Sequence, residues 1–186
     1  MNRTLFEACQ YGDLDHVRQL LQTQSPDQSV AEESCLCVAS RCGHVEIASL
    51  LLEHGALQTP DGRGQTPLFI ASGKTSSAMV ELLLNHGATM DATTCETTPL
   101  MEACCFGTLE NVELLVGHGA DINERHSQFG YSPIICAAVF RQIDVVNYLL
   151  MTGADPFCSD NVRSLLMCWL ICVERRDCDG LLSESE

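Results

Sequence analysis

The sequence predicts an all-α solenoid of stacked helix-turn-helix hairpins joined by β-turn loops. Three observations predict it. Gly-Ala recurs at 55–56, 87–88, 119–120 and 153–154, at intervals of 32, 32 and 34 residues, and self-similarity at such a period marks a repeat array. Each of these glycines follows apolar residues at helical spacing: Val45, Ile47, Leu50 and Leu51; Met79, Val80, Leu82 and Leu83; Val112, Leu114 and Leu115; Val145, Val146, Leu149 and Leu150. Upstream of each long helix, Thr66-Pro67-Leu68, Thr98-Pro99-Leu100 and Ser132-Pro133-Ile134 mark the start of a shorter one. There a hydroxyl can cap free amide groups and proline suits the first turn.

The first hairpin is read from Leu5, Ala8, Gly12, Val17, Leu20 and Leu21, which fall in phase with the later units. In the second, Cys35 stands where the later units carry proline. Ala39, Ala71, Ala103 and Ala137 recur on the short helices, where a small side chain lets neighbouring hairpins approach closely. Glycine ends each long helix because the left-handed conformation that closes it is strained for residues with a side chain. After Asp155-Pro156, residues Val162 to Val173 look like the beginning of a sixth unit cut short. The expected organisation is therefore an array of about five repeats over 1–160, a partial repeat or C-terminal cap over 161–176, and an acidic flexible tail over 177–186. Leu165, Leu166, Trp169, Leu170 and Ile171 leave the sixth helix apolar on more than one side, so it is either a poor cap or a segment awaiting a partner.

Gln65-Thr66-Pro67-Leu68-Phe69-Ile70-Ala71 followed by Val80-Glu81-Leu82-Leu83-Leu84-Asn85-His86-Gly87-Ala88 resembles the ankyrin repeat and its T-P-L-H-x-A signature. Asp61-Gly62-Arg63-Gly64 resembles the turn that opens such a repeat. The resemblance runs through residues 29–160 and is recognisable in the first repeat. It implies an ankyrin-repeat solenoid. There are departures: Cys37, Phe69, Met101 and Ile135 replace the signature histidine, so apolar stacking is expected to substitute for the polar link between repeats. Thr75 and Arg141 stand where the family usually turns on glycine.

Composition narrows the function. Of 186 residues, 46% are hydrophobic, enough for a continuous core. Twenty-five acidic against 10 basic residues give a net charge of -15, which repels nucleic-acid phosphates and anionic membrane surfaces. Basic or neutral proteins are the expected partners, of a chain that is monomeric alone. Met1 to Gln10 lacks a basic segment followed by an apolar stretch and a small-residue cleavage site, so a cytoplasmic location is expected, with the nucleus left open. The twelve cysteines are then expected to remain thiols, most of them as small core hydrophobes. Leu165 to Val173, the longest apolar run, falls short of the roughly 20 residues a membrane-spanning helix needs.

Chemistry has few seats in this pattern. Cys35, Cys37, Cys42 and His44 carry zinc's preferred ligand types, but their spacing matches no common zinc site and core packing explains them. Cys168 and Cys172 share a predicted helix face, with Cys178 beyond, as a candidate redox or metal group or simply cap packing. His54, His86 and His118 precede the helix-ending glycines, where each can meet the unpaired carbonyls of its own helix. Gly62-Arg63-Gly64 lacks the downstream pattern of a phosphate loop, and Asp13 with Asp15 belongs to a solvated turn. No catalytic residue, metal or cofactor is expected, and the chain is not expected to be an enzyme.

The resemblance implies recognition through the turn tips and the exposed inner face of the short helices. The matching positions include Tyr11, Arg41, Arg63, Gln65, Lys74, Thr97, Cys105, Phe106, Phe129, Tyr131, Val139 and Phe140. Phe106, Phe129, Tyr131 and Phe140 are the expected centre of a partner site, with Arg63, Lys74 and Tyr11 around it, because aromatic side chains bury much area at low entropic cost. For Phe106 and Phe140, packing between adjacent turns is an equal reading. Phe129 and Tyr131 lie on Asn123 to Ser132, the longest inter-repeat segment. Leu115 with Asp121-Ile122-Asn123 resembles the substrate pattern of the oxygen-sensing asparaginyl hydroxylase of ankyrin proteins, which would make Asn123 a hydroxylation target; the alternative is that the asparagine simply supports the turn. The leading function is a non-catalytic interaction module acting as adaptor, scaffold or inhibitor. A ubiquitin-ligase substrate receptor is the alternative suggested by Ser164-Leu165, although Cys168 falls one position short of the small residue such a box wants. A thiol redox or metal-binding protein is the alternative of another class.

Overall fold

The computed structural model describes residues 4–30, 32–74, 76–91, 97–126 and 130–155. The expected cap and tail over 161–186 lie outside the described residues, as do Thr75 and Phe129. Five helical hairpins follow one another: α1 (Leu5–Tyr11) with α2 (Leu14–Leu20), α3 (Cys35–Cys42) with α4 (Val45–Glu53), α5 (Pro67–Lys74) with α6 (Ser77–Asn85), α7 (Pro99–Phe106) with α8 (Leu109–Gly117), and α9 (Pro133–Val139) with α10 (Ile143–Met151). Between the first two hairpins, β1 (Ser29–Val30) and β2 (Glu33–Ser34) form a two-residue antiparallel ladder pairing Ser29 with Ser34 and Val30 with Glu33.

Helices of two turns are marginal alone, so stacking must supply their stability. Each short helix packs on the short helices of adjacent hairpins, and the long helices form a second row, α2 on α4, α4 on α6, α6 on α8 and α8 on α10. The recurrent alanines, together with Ala8, are fully buried. Three residues before each of them, Leu5, Leu36, Leu68, Leu100 and Ile134 form a second buried layer. Val17, Ala48, Val80, Val112 and Val146 supply the matching layer from the long helices. One apolar core therefore runs the length of the described stack.

The punctuation follows the sequence closely. Gly55, Gly87, Gly119 and Gly153 take φ of 83°, 75°, 93° and 97° just after the long helices. Thr66 and Thr98 each accept the backbone N–H three residues on, at 3.1 Å, and Ser34 does the same for α3. Ser132 departs from expectation: its hydroxyl makes no cap hydrogen bond to α9, and its φ of -106° lies off the -78° and -90° of the capped Ser34 and Thr98. Arg141, in the place of a glycine, is forced to φ 59°. This left-handed conformation costs a residue with a Cβ roughly 1–2 kcal/mol.

The expectation that no polar link joins the repeats is corrected. Cys37, in the histidine position, lies 3.6 Å from the Thr59 carbonyl and 3.9 Å from that of Gln65, so its thiol is a donor to the next turn. A stronger link comes from the residue that opens α4, α8 and α10. Thr108 Oγ1 donates to the Ser72 carbonyl at 3.0 Å, Gln142 Nε2 to the Cys105 carbonyl at 3.1 Å, and the His44 ring lies 3.3 Å from the Gln10 carbonyl. Each reaches back to a carbonyl late in the short helix of the preceding repeat, which would otherwise lack an intrahelical donor. Buried Asn111 adds a second bond to Ser72 at 3.0 Å.

Candidate functional site

The register that buries one side of the short helices exposes the other. Three residues after the buried alanines stand Tyr11, Cys42, Phe106 and Phe140, and all four are exposed. Tyr11, Phe106 and Phe140 are 66%, 46% and 58% accessible. Tyr131, on the turn before α9, is 40% accessible and Val139 is 55%. Leaving this much apolar surface in water forgoes burial free energy of about 25 cal/mol per Å2, so a cluster of such side chains marks a surface suited to association. The aromatics gather in the fourth and fifth repeats, where Phe106, Tyr131 and Phe140 lie on or beside α7 and α9.

Phe106 combines the two readings that its sequence position left open. Its ring is packed on Gly73 of α5, so closely that a Cβ there would lie 2.8 Å from Cδ2, while nearly half of the residue stays accessible. A glycine at 73 therefore gives the ring its seat. Phe129 and the side chain of Lys74 fall outside the described residues.

The turn tips of the second and third repeats are organised by charge. The Asp61 carboxylate accepts the Arg63 and Gln65 backbone N–H groups at 2.9 Å each, folding the Asp61-Gly62-Arg63-Gly64 turn. Its other oxygen meets Arg41 Nη2 at 2.9 Å, while Arg41 Nε meets Glu33 at 2.9 Å. Arg41 thus spans two turns. Arg63 is exposed on the tip. At the next tips, Asn123 accepts the Asp155 backbone N–H at 2.8 Å through its side-chain oxygen, so this exposed asparagine joins successive turns.

Two of the three histidines before the helix-ending glycines meet their own helix as expected. His54 Nδ1 meets the Leu50 carbonyl at 2.8 Å and His118 Nδ1 the Leu114 carbonyl at 2.9 Å, each on its own helix. The His86 backbone carbonyl accepts from Gln58 Nε2 at 2.9 Å. The four candidate zinc ligands are spread over different environments: Cys35 is buried in the core, Cys37 sits on turn carbonyls, His44 on Gln10, and Cys42 is exposed. Among the described residues no three His, Cys, Asp or Glu side chains are placed to hold a metal ion. A depression of about 710 Å3 crosses the outer side of α2, α4 and α6 between Leu14, Val45, Leu50 and Leu82, rimmed by Arg18 and Glu81; it is an open groove with no enclosed chamber. No helix among the described residues is long and apolar enough to cross a membrane.

Two thiol pairs escaped sequence reasoning. Cys9 and Cys35, on α1 and α3, shift each other's ionisation, as do Cys105 and Cys136 on α7 and α9. Cys136 holds the Cys105 thiol below the usual range against the opposing effect of burial, while Cys136 is pushed up by Cys105 and by burial. Burial pushes Cys104 and Cys37 up. The repeat register was the available signal: Cys105 lies two residues after Ala103 and Cys136 one before Ala137, on adjacent short helices.

Comparison with curated proteins gives no match. The family model described as ankyrin repeats (3 copies) matches residues 5–94 and 87–160, which takes in all five hairpins. Its match and the stacked hairpins with their glycine-closed helices agree, and the chain belongs to the ankyrin-repeat family.

Proposed function

We propose that this chain is a non-catalytic interaction module, an adaptor, scaffold or inhibitor, that binds a partner protein on the exposed side of its short helices and on its turn tips. Ankyrin repeats are generally protein-protein interaction modules. The observation that carries the reading is the exposure of Phe106, Tyr131, Val139 and Phe140 on or beside the short helices of neighbouring repeats; Tyr11 is exposed on the first short helix, and Val30, Leu57, Ile143 and Met151 are exposed away from the short helices. Phe106, Phe129, Tyr131 and Phe140 form the centre of the site, and Tyr11, Arg63 and Lys74 extend it along the array. A net charge of -15 favours a partner with basic groups around an apolar anchor, and association with such a partner weakens as salt screens exposed charges within about 10 Å at 0.1 M.

Proximity labelling in cells tests this reading, comparing the wild-type chain with one carrying alanine at Phe106, Phe129, Tyr131 and Phe140, both checked for helical content. Loss of a discrete set of neighbours supports it; an unchanged set overturns it. Hydroxylation of Asn123 is a subsidiary proposal, supported by the exposure of that side chain. A mass spectrum of the cell-expressed chain with Asn123 wholly unmodified counts against it.

A further inference from the structure

We propose that the outer side of the long helices is a second docking surface, fitted to a cationic amphipathic helix of a partner protein that lies across α4, α6 and α8. The inference goes beyond the reading above, since it concerns the long helices and none of the exposed aromatics.

The repeat sets the geometry. Leu50, Leu82 and Leu114 stand two residues after buried Ala48, Val80 and Val112, at intervals of 32 residues, and all three are half-buried. Leu50 and Leu82 line the groove of about 710 Å3 over α2, α4 and α6, and Leu114 lines a second depression of about 450 Å3 between α6 and α8. Glu81 borders both, so the two adjoin. Packed helices lie about 8–10 Å apart. A helix laid across them advances about 10.5 Å in seven residues and presents positions i and i+7 on one side, so one apolar side chain per heptad meets one leucine per repeat. An extended strand covers that distance in about three residues, which puts successive contacts on opposite faces. The spacing therefore selects a helix.

Charge selects its chemistry. Glu46, Glu53 and Glu81 border the first depression and Glu110 and Glu113 the second, all five exposed, with Arg18 on α2 and His118 beyond α8 as the basic residues of the lining. Glu46 and Glu110 sit one helical turn before Leu50 and Leu114, and Glu81 and Glu113 directly before Leu82 and Leu114, so each leucine has a carboxylate nearby. No ion pair among the described residues engages any of the five, and Glu53 accepts the Ser49 hydroxyl at 3.0 Å. Lysines and arginines flanking the apolar stripe of an incoming helix supply cations at this rim, where their long stems lie along the leucines while the charged ends stay in water.

The test titrates the folded full-length chain with a labelled synthetic peptide of about 18 residues, about 27 Å long as a helix, with leucines on one face and lysines on the other. Fluorescence anisotropy reads the binding. A second peptide of the same composition has its leucines dispersed around the helix. The expected result is saturable binding of the first peptide, about tenfold or more tighter than the second, and weakening as salt is raised. Glu46→Lys, Glu81→Lys and Glu113→Lys combined, all at exposed positions, should weaken it by about tenfold or more, whereas alanine at Phe106, Tyr131 and Phe140 leaves it unchanged. The proposal is overturned if neither peptide binds, if the two bind alike, if the glutamate variant keeps the peptide, or if the free chain sediments as a dimer that excludes it. Should the glutamate variant fail to fold, the two peptides on the wild-type chain decide, with photo-crosslinking expected to place the first on α4, α6 and α8; crosslinks to the short helices instead would overturn the proposal.

Discussion

In the second and third repeats the turn tips are held by charge: Arg41 bridges Glu33 and Asp61, and the Asp61 carboxylate also fastens two backbone amides. In the fourth and fifth, the same side of the stack presents Phe106, Tyr131, Val139 and Phe140 to water. Both regions share one core, with Leu36, Leu68, Leu100 and Ile134 in equivalent buried places. The difference lies wholly in positions the core does not constrain. It teaches that the stack fixes which residues are displayed while leaving their chemistry open, and that on this chain the charged display stabilises turns whereas the aromatic display is suited to recognition.

The comparison breaks most visibly at Asp61. Asp61→Ala leaves Arg41 Nη2 and two amides without their acceptor, with Arg41 Nε still on Glu33, and is expected to lower stability by about 2 kcal/mol, less than a fully buried pair would lose because Arg41 is partly exposed. Asp61→Asn, which keeps an acceptor for the amides, should cost about half as much. Phe140→Ala, by contrast, should change urea unfolding by less than about 1 kcal/mol, since the ring is more than half accessible. If Phe140→Ala proved as damaging as Asp61→Ala, the division between a stabilising and a displaying region would fail.

Smaller effects sharpen it. Gln142→Ala removes the bond from the fifth repeat to the Cys105 carbonyl and should cost about 1 kcal/mol in the same measurement. Arg141→Gly relieves the left-handed strain at φ 59° and should stabilise by up to about 1 kcal/mol, after the entropy that glycine loses on folding is counted. The smallest effect concerns Glu124, whose pKa is raised by partial burial and by the Asp121 and Asp91 carboxylates. Its ionised form is thus disfavoured in the folded state, so the stability tied to its protonation is present below the ordinary glutamate range and is lost as pH rises through the raised value. Glu124→Gln should therefore stabilise slightly at neutral pH, with the gain fading in acid; thermal melts across pH check both signs.

Most of the fold was legible because glycine, proline and the hydroxyl caps act locally: Gly55, Gly87, Gly119 and Gly153 close their helices and Pro67, Pro99 and Pro133 begin theirs. What escaped depends on side-chain direction across repeats, which periodicity does not encode. Cys37 was read as apolar filler because substitution of histidine removes the usual donor, yet a thiol in that place still reaches two carbonyls. The back-reaching bonds of Thr108 and Gln142 are not legible in the sequence, because nothing in the local pattern marks a side chain that turns back to the preceding repeat. The aromatic positions were legible from register alone, and the structure adds that Phe106 is seated on Gly73, a contact that needs three-dimensional neighbours to see.

The most direct test of the central claim sets two alanine variants side by side in quantitative proximity labelling. One replaces Phe106, Tyr131 and Phe140; the other replaces Tyr11 and Arg63, in the first and third repeats. The first is expected to lose a defined set of neighbours, by about tenfold or more for each aromatic hot spot that contributes about 1.4 kcal/mol or more, while the second keeps most of them. Equal losses, or a greater loss from the second variant, would contradict the placement of the recognition centre in the fourth and fifth repeats.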